Sequence, residues 1–345
     1  DGESYQIEDP EAGEPNATIF SKGDLTFIGN GSLVVDANYR NGIASKDELN
    51  ILSGNIAVSA VNDGIRGRDH ITIKDGNITV NAEADGMQSN NDRDPERGFI
   101  SIEGGTINIT AGKDGIQAET TVFINGGTIT VSSGGGAHSE GNDGDAQGSG
   151  GGEERTGSNP TPSSKGLKAG SDIRIEGGAI AVDSLDDAIH SNGSITINGG
   201  KIVLASADDA IHSDSSLAVN GGDVIVMKSY EAIESAVITI NGGSIRLASS
   251  DDVVSVVGSA NRAKTNGRPG RAVAANPPNG EHLIIAGGYV VIDATGDGLD
   301  INGWVKMTGG TVIVNGPTVD YNGALDYARE FTMAGGTLLA VGSSG

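Results

Sequence analysis

The sequence predicts an all-β chain wound as a right-handed parallel β-helix, a solenoid of about twelve coils with a period of about 22 residues. Three observations predict it. The segments Asp187-Ala-Ile-His-Ser, Asp209-Ala-Ile-His-Ser and Glu231-Ala-Ile-Glu-Ser follow one another at intervals of 22 residues without a gap. Each leads into an alternating apolar run such as Ile195-Thr-Ile197, then a glycine pair, then a second run such as Ile202-Val-Leu204. The glycine corner recurs from Gly31, Gly54 and Gly76 through Gly199 and Gly221 to Gly309 and Gly335. With strands stacked about 4.8 Å apart, twelve coils make a rod of about 55 Å.

Each element of the repeat has a physical cause. Ile, Val and Thr dominate the runs because β-branched side chains suit a pleated surface. Alternation turns Ile195 and Ile197 inward and leaves Thr196 outside. The corner glycines permit positive φ where the chain turns sharply. Asn125, Asn198, Asn220 and Asn241 precede corners, tolerate the same conformations and can hydrogen-bond to their copies one coil away. Stacked neighbours then bury a continuous aliphatic core that no single repeat can form. A leucine-rich repeat would need fixed leucines and a helical return, and a calcium-binding nonapeptide roll would need its own nine-residue glycine cadence; neither pattern is present.

The period breaks in three places. Extra residues fall near 90–97, near 134–164, which is rich in Gly, Ser, Asp and Glu, and near 258–280, which carries Arg262, Lys264, Arg268 and Arg271. The intervals place them on neighbouring faces of the rod, and in solenoids such loops often mark the binding face. Residues 1–16 form an acidic N-terminal segment ahead of a single β-helix over 17–345. The opening Asp1-Gly2-Glu3 is not a signal peptide, so a leader has been removed or the chain is an internal piece.

Composition narrows the partners. The net charge of −24 repels nucleic acid and anionic membranes and attracts hard cations. No stretch approaches the length of a membrane span. Cysteine is absent, so there is no disulfide framework and no thiol nucleophile or ligand.

Residues one period apart sit above each other, which turns the repeat into an acidic ladder: Asp63, Asp85, Asp114, Lys165, Asp187, Asp209, Glu231, Asp252 and Asp297. Asp186, Asp208 and Asp251 double it in three coils. Three residues on, the column reads Arg66, Gln88, Gln117, Lys168, His190, His212, Glu234, Ser255 and Asp300. Carboxylates one strand spacing apart repel unless a cation intervenes, and calcium takes six to eight oxygen ligands. Four Ca2+ sites are expected: Asp63 with Asp85 and Asp114; Asp186 and Asp187 with Asp208 and Asp209; Asp208 and Asp209 with Glu231; and Asp251 and Asp252 with Asp297 and Asp300. The bland alternative is a solvated acidic turn in which each Asp caps its own backbone. His190 and His212, with Glu234, have the composition of a transition-metal site, but only two imidazoles are available among hard oxygens, so structural stacking of the two rings is the preferred account.

The cadence Asp-Asp/Gly-Ile, Ile-Thr-Ile, Asn-Gly-Gly-x-Ile-x-Val, with the opening Ala17-Thr-Ile-Phe20-Ser-Lys-Gly-Asp-Leu25, resembles the polysaccharide-lyase-like β-helix family of clostridial carbohydrate-binding proteins. The resemblance covers nearly the whole chain apart from the inserts. It implies a secreted or cell-surface protein that binds calcium and plant cell-wall polysaccharide, cellulose and acidic pectic chains among them. Such chains usually extend beyond both ends seen here, and an uncapped coil invites end-to-end self-association. More distantly the pattern is similar to family 9 pectate lyases, in which an Asp-Asp-Gly-x-Asp motif holds calcium and a lysine abstracts the proton. Asp251-Asp252-Val-Val-Ser255 keeps the pair and loses the last Asp, while Asp297-Gly-Leu-Asp300 has Gly296 in place of the first.

Three functions follow. The first is a non-catalytic, calcium-dependent carbohydrate-binding module, with Trp304, Tyr289, Tyr321 and Tyr327 clustered in the last coils as a modest aromatic platform. The second is a lyase acting by β-elimination on uronates, with Lys168 as the base or, more plainly, as a counter-ion for the acids around it. The third is a structural rod assembled end to end.

Overall fold

The structure, a computed structural model, describes residues 14–137, 163–258 and 280–344. Among them the chain forms no helix; it forms three parallel sheets of twelve strands each. Every coil gives one strand to each sheet in turn. In the coil that starts at Asp187 these are Ile189–Ser191 in sheet 1, Ser194–Ile197 in sheet 2 and Lys201–Ser206 in sheet 3. Each pairs with its copy one coil on, Ile189 with Ile211, Ile195 with Leu217 and Ile202 with Val224. The predicted period and register therefore hold.

The core is a set of aliphatic columns. Ile189, Ile195, Ile197, Ile202 and Leu204 are wholly buried, while Thr196 is half-buried on the outer face. Truncating one such isoleucine to alanine costs about 2–5 kcal/mol, because the neighbouring coils cannot close the void.

The glycine corners work differently from the simple expectation. At Gly54 and Gly76 the corner residue itself has positive φ, 120° and 128°. In the paired corners the positive φ moves to the second glycine, as at Gly200 with φ 96°. The first, Gly199, is needed for close approach: a Cβ there would lie 2.8 Å from the Glu176 carbonyl oxygen of the coil beneath. The asparagine ladder forms over part of its predicted length. Asn220 Nδ2 donates to Asn198 Oδ1, and Asn241 Nδ2 to Asn220 Oδ1, each at 2.7 Å. Asn198 in turn donates to the Glu176 carboxylate at 3.0 Å.

All three insertions flank sheet 1. The first links Met87–Ser89 in sheet 1 to Phe99–Ile102 in sheet 2. It is pinned down: Asn91 Nδ2 donates to Asp69 Oδ1 at 2.6 Å, and Arg97 pairs with Asp69 and, at 3.4 Å, with Asp94. The second joins Thr128–Ser133 in sheet 3 to Leu167–Ala169 in sheet 1, and the third joins Val254–Val256 in sheet 1 to His282–Ile285 in sheet 2. Residues 138–162 and 259–279, with Arg262, Lys264, Arg268 and Arg271, and residues 1–13 of the N-terminal segment lie outside the described residues.

Candidate functional site

Sheet 1 has the shortest strands, three residues in most coils, so corner residues and outward side chains crowd onto one narrow face. The outward column runs in the predicted order: Arg66 beside Gln88, then Gln117, Lys168, His190, His212, Glu234, Ser255 and Asp300. Asp326, which the sequence reading missed, pairs with Asp300 and extends it. Its spacing from Asp300 is longer than the regular period, which hid it.

The acids three residues earlier have a structural role in nearly every coil. In four of them one oxygen accepts the backbone N–H of the acid one coil on. Asp85 N–H donates to Asp63 Oδ1 at 3.4 Å, Asp114 N–H to Asp85 Oδ1 at 3.1 Å, Asp209 N–H to Asp187 Oδ1 at 3.3 Å and Asp297 N–H to Asp252 Oδ1 at 2.6 Å. Corner N–H groups would otherwise be unpaired, and a carboxylate oxygen is a strong acceptor for them. The expected self-capping turn is thus replaced by capping across coils.

The second oxygen meets the outward residue three positions on. Arg66 Nη1 lies 3.6 Å from Asp63 Oδ2, and Gln88 Nε2 donates to Asp85 Oδ2 at 2.7 Å. With its amide nitrogen facing the acids, Gln117 donates to Asp85 at 3.1 Å and Asp114 at 3.2 Å. Lys168 Nζ donates to Asp114 Oδ2 at 2.7 Å and to Ser163 Oγ at 3.1 Å. Lys165 takes an acid's place in the ladder, and its ammonium bridges Asp186 Oδ1 at 2.7 Å and Asp187 Oδ2 at 2.6 Å. Burial opposes charge on Asp187, but the hydrogen bond from His190 and the Lys165 charge outweigh it and hold the carboxyl below its ordinary range. Asp85 has no cation of its own, and burial with Asp114 and Asp63 nearby pushes it up to about 6.

Beyond Asp187 the described residues supply no such compensation. Among the described residues, none of Asp208, Asp209, Glu231, Asp251, Asp252, Asp297 and Asp300 pairs with a lysine or arginine. Burial, then repulsion from Asp187 and Asp186, pushes Asp208 up to about 6. Burial, then Asp209, Glu234 and Asp252, pushes Glu231 up to about 9. Asp252 rises to about 7, chiefly by burial, and Asp300 to about 6 by burial and by Asp326 and Asp297. The Asp251 charge contributes to the rise at Asp252, Asp297 and Asp300. The oxygen Oε2 of Glu231 is buried with no hydrogen-bond partner.

Of the four ligand sets foreseen in the sequence, only Asp186, Asp187 and Asp208 bring three carboxylates within 4.8 Å of one another among the described residues. Asp63, Asp85 and Asp114 are already engaged by Arg66, Gln88, Gln117 and Lys168. The Asp186, Asp187, Asp208 set contains Lys165, where a cation would sit. In the Glu231 set and the Asp251, Asp252, Asp297, Asp300 set the acids raise one another's pKa values without three ligand atoms closing to within 4.8 Å among the described residues.

Two other expectations meet correction. The four rings of the last coils do not form one platform. Trp304 lies on sheet 2, stacked on His282 with centroids 4.4 Å apart; Tyr289 projects from sheet 3, Tyr327 from sheet 1, and Tyr321 sits in the connection before it. Sequence proximity misled because successive strands face different sides of the rod. Lys168 as a base is also unsupported, since its ammonium is clamped between Asp114 and Ser163. The sequence reading missed an aromatic column on sheet 2, where His70 stacks on Phe99 at 4.7 Å and Phe99 meets Phe123 edge-on at 6.3 Å. The inserted residues at 90–97 offset His70 from Phe99 and concealed their pairing. It also missed a groove of about 500 Å³ beside sheet 3, lined among others by Asp36, Ser59, Asn81 and Thr110, one polar side chain per coil in register.

Comparison with known proteins agrees with the carbohydrate-binding expectation. The family described as carbohydrate-binding domain-containing protein matches residues 1–210. A carbohydrate-binding domain-containing protein of Acetivibrio thermocellus is 50% identical over 60 residues, 17% of this chain. That match spans 21% of the relative's length. No solved structure matches.

Proposed function

The chain belongs to the carbohydrate-binding domain-containing family, and from that premise we propose that it is an extracellular or cell-surface, non-catalytic binder of plant cell-wall polysaccharide whose sheet 1 is held together by calcium. Asp251, Asp252, Asp297 and Asp300 would hold one ion, and Asp208, Asp209 and Glu231 would supply oxygens to another. The observation that carries the calcium reading is the rise of Glu231, Asp252 and Asp300, where burial and neighbouring carboxylates push the carboxyls up and no described lysine or arginine pairs with them. A divalent cation bound there removes the repulsion and, at an exposed edge, can bridge to uronate carboxylates. The groove beside sheet 3 supplies hydroxyl and amide groups at one-coil intervals, a pattern suited to the hydroxyls of an extended sugar chain.

Affinity electrophoresis in gels containing polygalacturonate or soluble β-glucan tests this reading. Retardation should vanish with a calcium chelator and return with added Ca2+; mobility indifferent to both overturns it. The engaged ammonium of Lys168 opposes a lyase, so the ultraviolet absorbance of unsaturated product should not rise on incubation with polygalacturonate and calcium.

A further inference from the structure

We propose that the groove beside sheet 3 selects a neutral, extended glycan chain lying along the rod, on a different face from the carboxylates of sheet 1. The proposal rests on the polysaccharide-binding reading and takes nothing from the calcium one. Asp36, Ser59, Asn81 and Thr110 stand in one column, each the register partner of the next. All four are exposed, and their side chains make no hydrogen bond among the described residues. The corner asparagines differ, since Asn220 Nδ2 is given to Asn198 and Asn241 Nδ2 to Asn220. The groove holds about 500 Å³, a volume ordinary for a ligand cleft, and Ala37, Ala60, Ala82, Val61 and Glu83 also line it.

Charge decides which chain fits. The protein carries a net charge of −24. Yet in the five strands Ser32–Ala37, Asn55–Ala60, Asn77–Ala82, Thr106–Ala111 and Thr128–Ser133 the sole charged residue is Asp36. Further along the same sheet the strands carry Asp183, Lys201, Asp223, Lys228 and Arg246. The hydroxyls of Ser59 and Thr110 and the carboxamide of Asn81 both donate and accept, which matches a sugar hydroxyl in either role. The charges that do border the groove, Asp36 and Glu83, are negative and oppose a uronate chain. A neutral chain meets no such repulsion.

The geometry sets direction and length. Successive polar side chains are one strand spacing, about 4.8 Å, apart along the rod. An extended β-linked pyranose chain advances by a similar length per sugar, so a chain laid along the groove presents one hydroxyl-bearing edge to each coil. Four coils therefore take about three to four sugars. Val61, 42% exposed, adds an apolar contact for the C–H face of a ring. The open run also has an end. The register partner of Ser132 is Asp183, whose Oδ1 accepts the Ala137 N–H at 2.7 Å, while Lys228 Nζ donates to the Ala137 carbonyl at 2.6 Å. The end of the sheet 3 turn at Ala137 thus occupies the column at Asp183 and stops the track there.

The test keeps the full chain in saturating Ca2+ throughout, so that the state of sheet 1 does not vary. In affinity electrophoresis the double variant Asn81→Ala, Thr110→Val should lose about tenfold or more in affinity for hydroxyethylcellulose, the loss of two ordinary hydrogen bonds, and should keep its retardation by polygalacturonate. NMR of the unaltered protein needs no variant to fold. The amide signals of Ser59, Asn81 and Thr110 should shift with cellohexaose and stay in place with trigalacturonate, while the Asn220 side-chain amide, already bonded to Asn198, should move with neither. Unchanged hydroxyethylcellulose retardation in the double variant, cellohexaose shifts confined to other faces, or equal shifts with trigalacturonate would overturn the proposal and leave the calcium reading standing. No retardation of the unaltered protein by either polymer would overturn this proposal and the polysaccharide reading together.

Discussion

The lower and upper halves of the sheet 1 ladder share one backbone and differ in charge. From Asp63 to Asp187 most carboxylates meet a donor delivered by a neighbouring position: Arg66, Gln88, Gln117, Lys168 or Lys165. From Asp208 to Asp300 the same positions carry His212, Glu234, Ser255 and Asp300, and no described lysine or arginine pairs with the acids. The register is set by strand pairing and does not respond to side-chain charge. Neutralisation is set by which side chain happens to reach which rung. Among the described residues one half is closed by internal donors, while in the other burial and mutual repulsion raise the carboxyls.

The comparison breaks or holds first at Lys165. Removing one partner of a buried ion pair leaves an uncompensated charge, so Lys165→Ala should lose about 3–5 kcal/mol in chelator, measured by denaturant unfolding. Calcium should recover much of that loss, because Asp186, Asp187 and Asp208 would then resemble the upper half. A small loss, or one that calcium leaves untouched, would show that the two halves are not equivalent scaffolds.

Withdrawal of calcium from the unaltered protein comes next. At a free ion concentration 100 times Kd, binding contributes about 2.7 kcal/mol. Hydrogen-exchange protection should therefore fall around Glu231–Asp326 and stay constant around Asp63–Asp114. A uniform fall would erase the distinction.

The pH response is smaller and has a definite sign. Glu231 near 9, Asp252 near 7 and Asp300 near 6 all stand above the ordinary values of about 4 expected in the unfolded chain. The folded state thus holds protons the unfolded state has released, a contribution complete at about pH 4 and lost as pH rises towards 9. In chelator Tm should fall over that range, and saturating calcium should flatten the slope.

Arg66→Ala is the mildest probe. Its guanidinium is partly exposed and lies 3.6 Å from Asp63, so the loss should be about 0.5–1 kcal/mol and shrink with salt.

Much of this was legible in the chain because a solenoid converts spacing into position. Asp187, Asp209 and Glu231 recur every 22 residues, and the structure stacks them in that order. Asn198, Asn220 and Asn241 did the same. Legibility failed where the count was disturbed or where a side chain crossed between rungs. The residues at 90–97 hid the His70–Phe99 stack, and the long span after Asp300 hid Asp326. Tyr289, Trp304 and Tyr327 look adjacent in the sequence and leave the rod from three different sheets.

The sequence by itself determined the period, the three inward aliphatic columns and the existence of an acidic ladder. Those follow from residue type and interval alone, since burial and strand alternation act on every coil alike. Only the tertiary structure decided which carboxylates are answered and which are not. That choice depends on side chains such as Lys165 and Lys168 reaching acids 22 and 54 residues away in the chain. Such reach is a matter of distance in space, which residue type and interval do not encode.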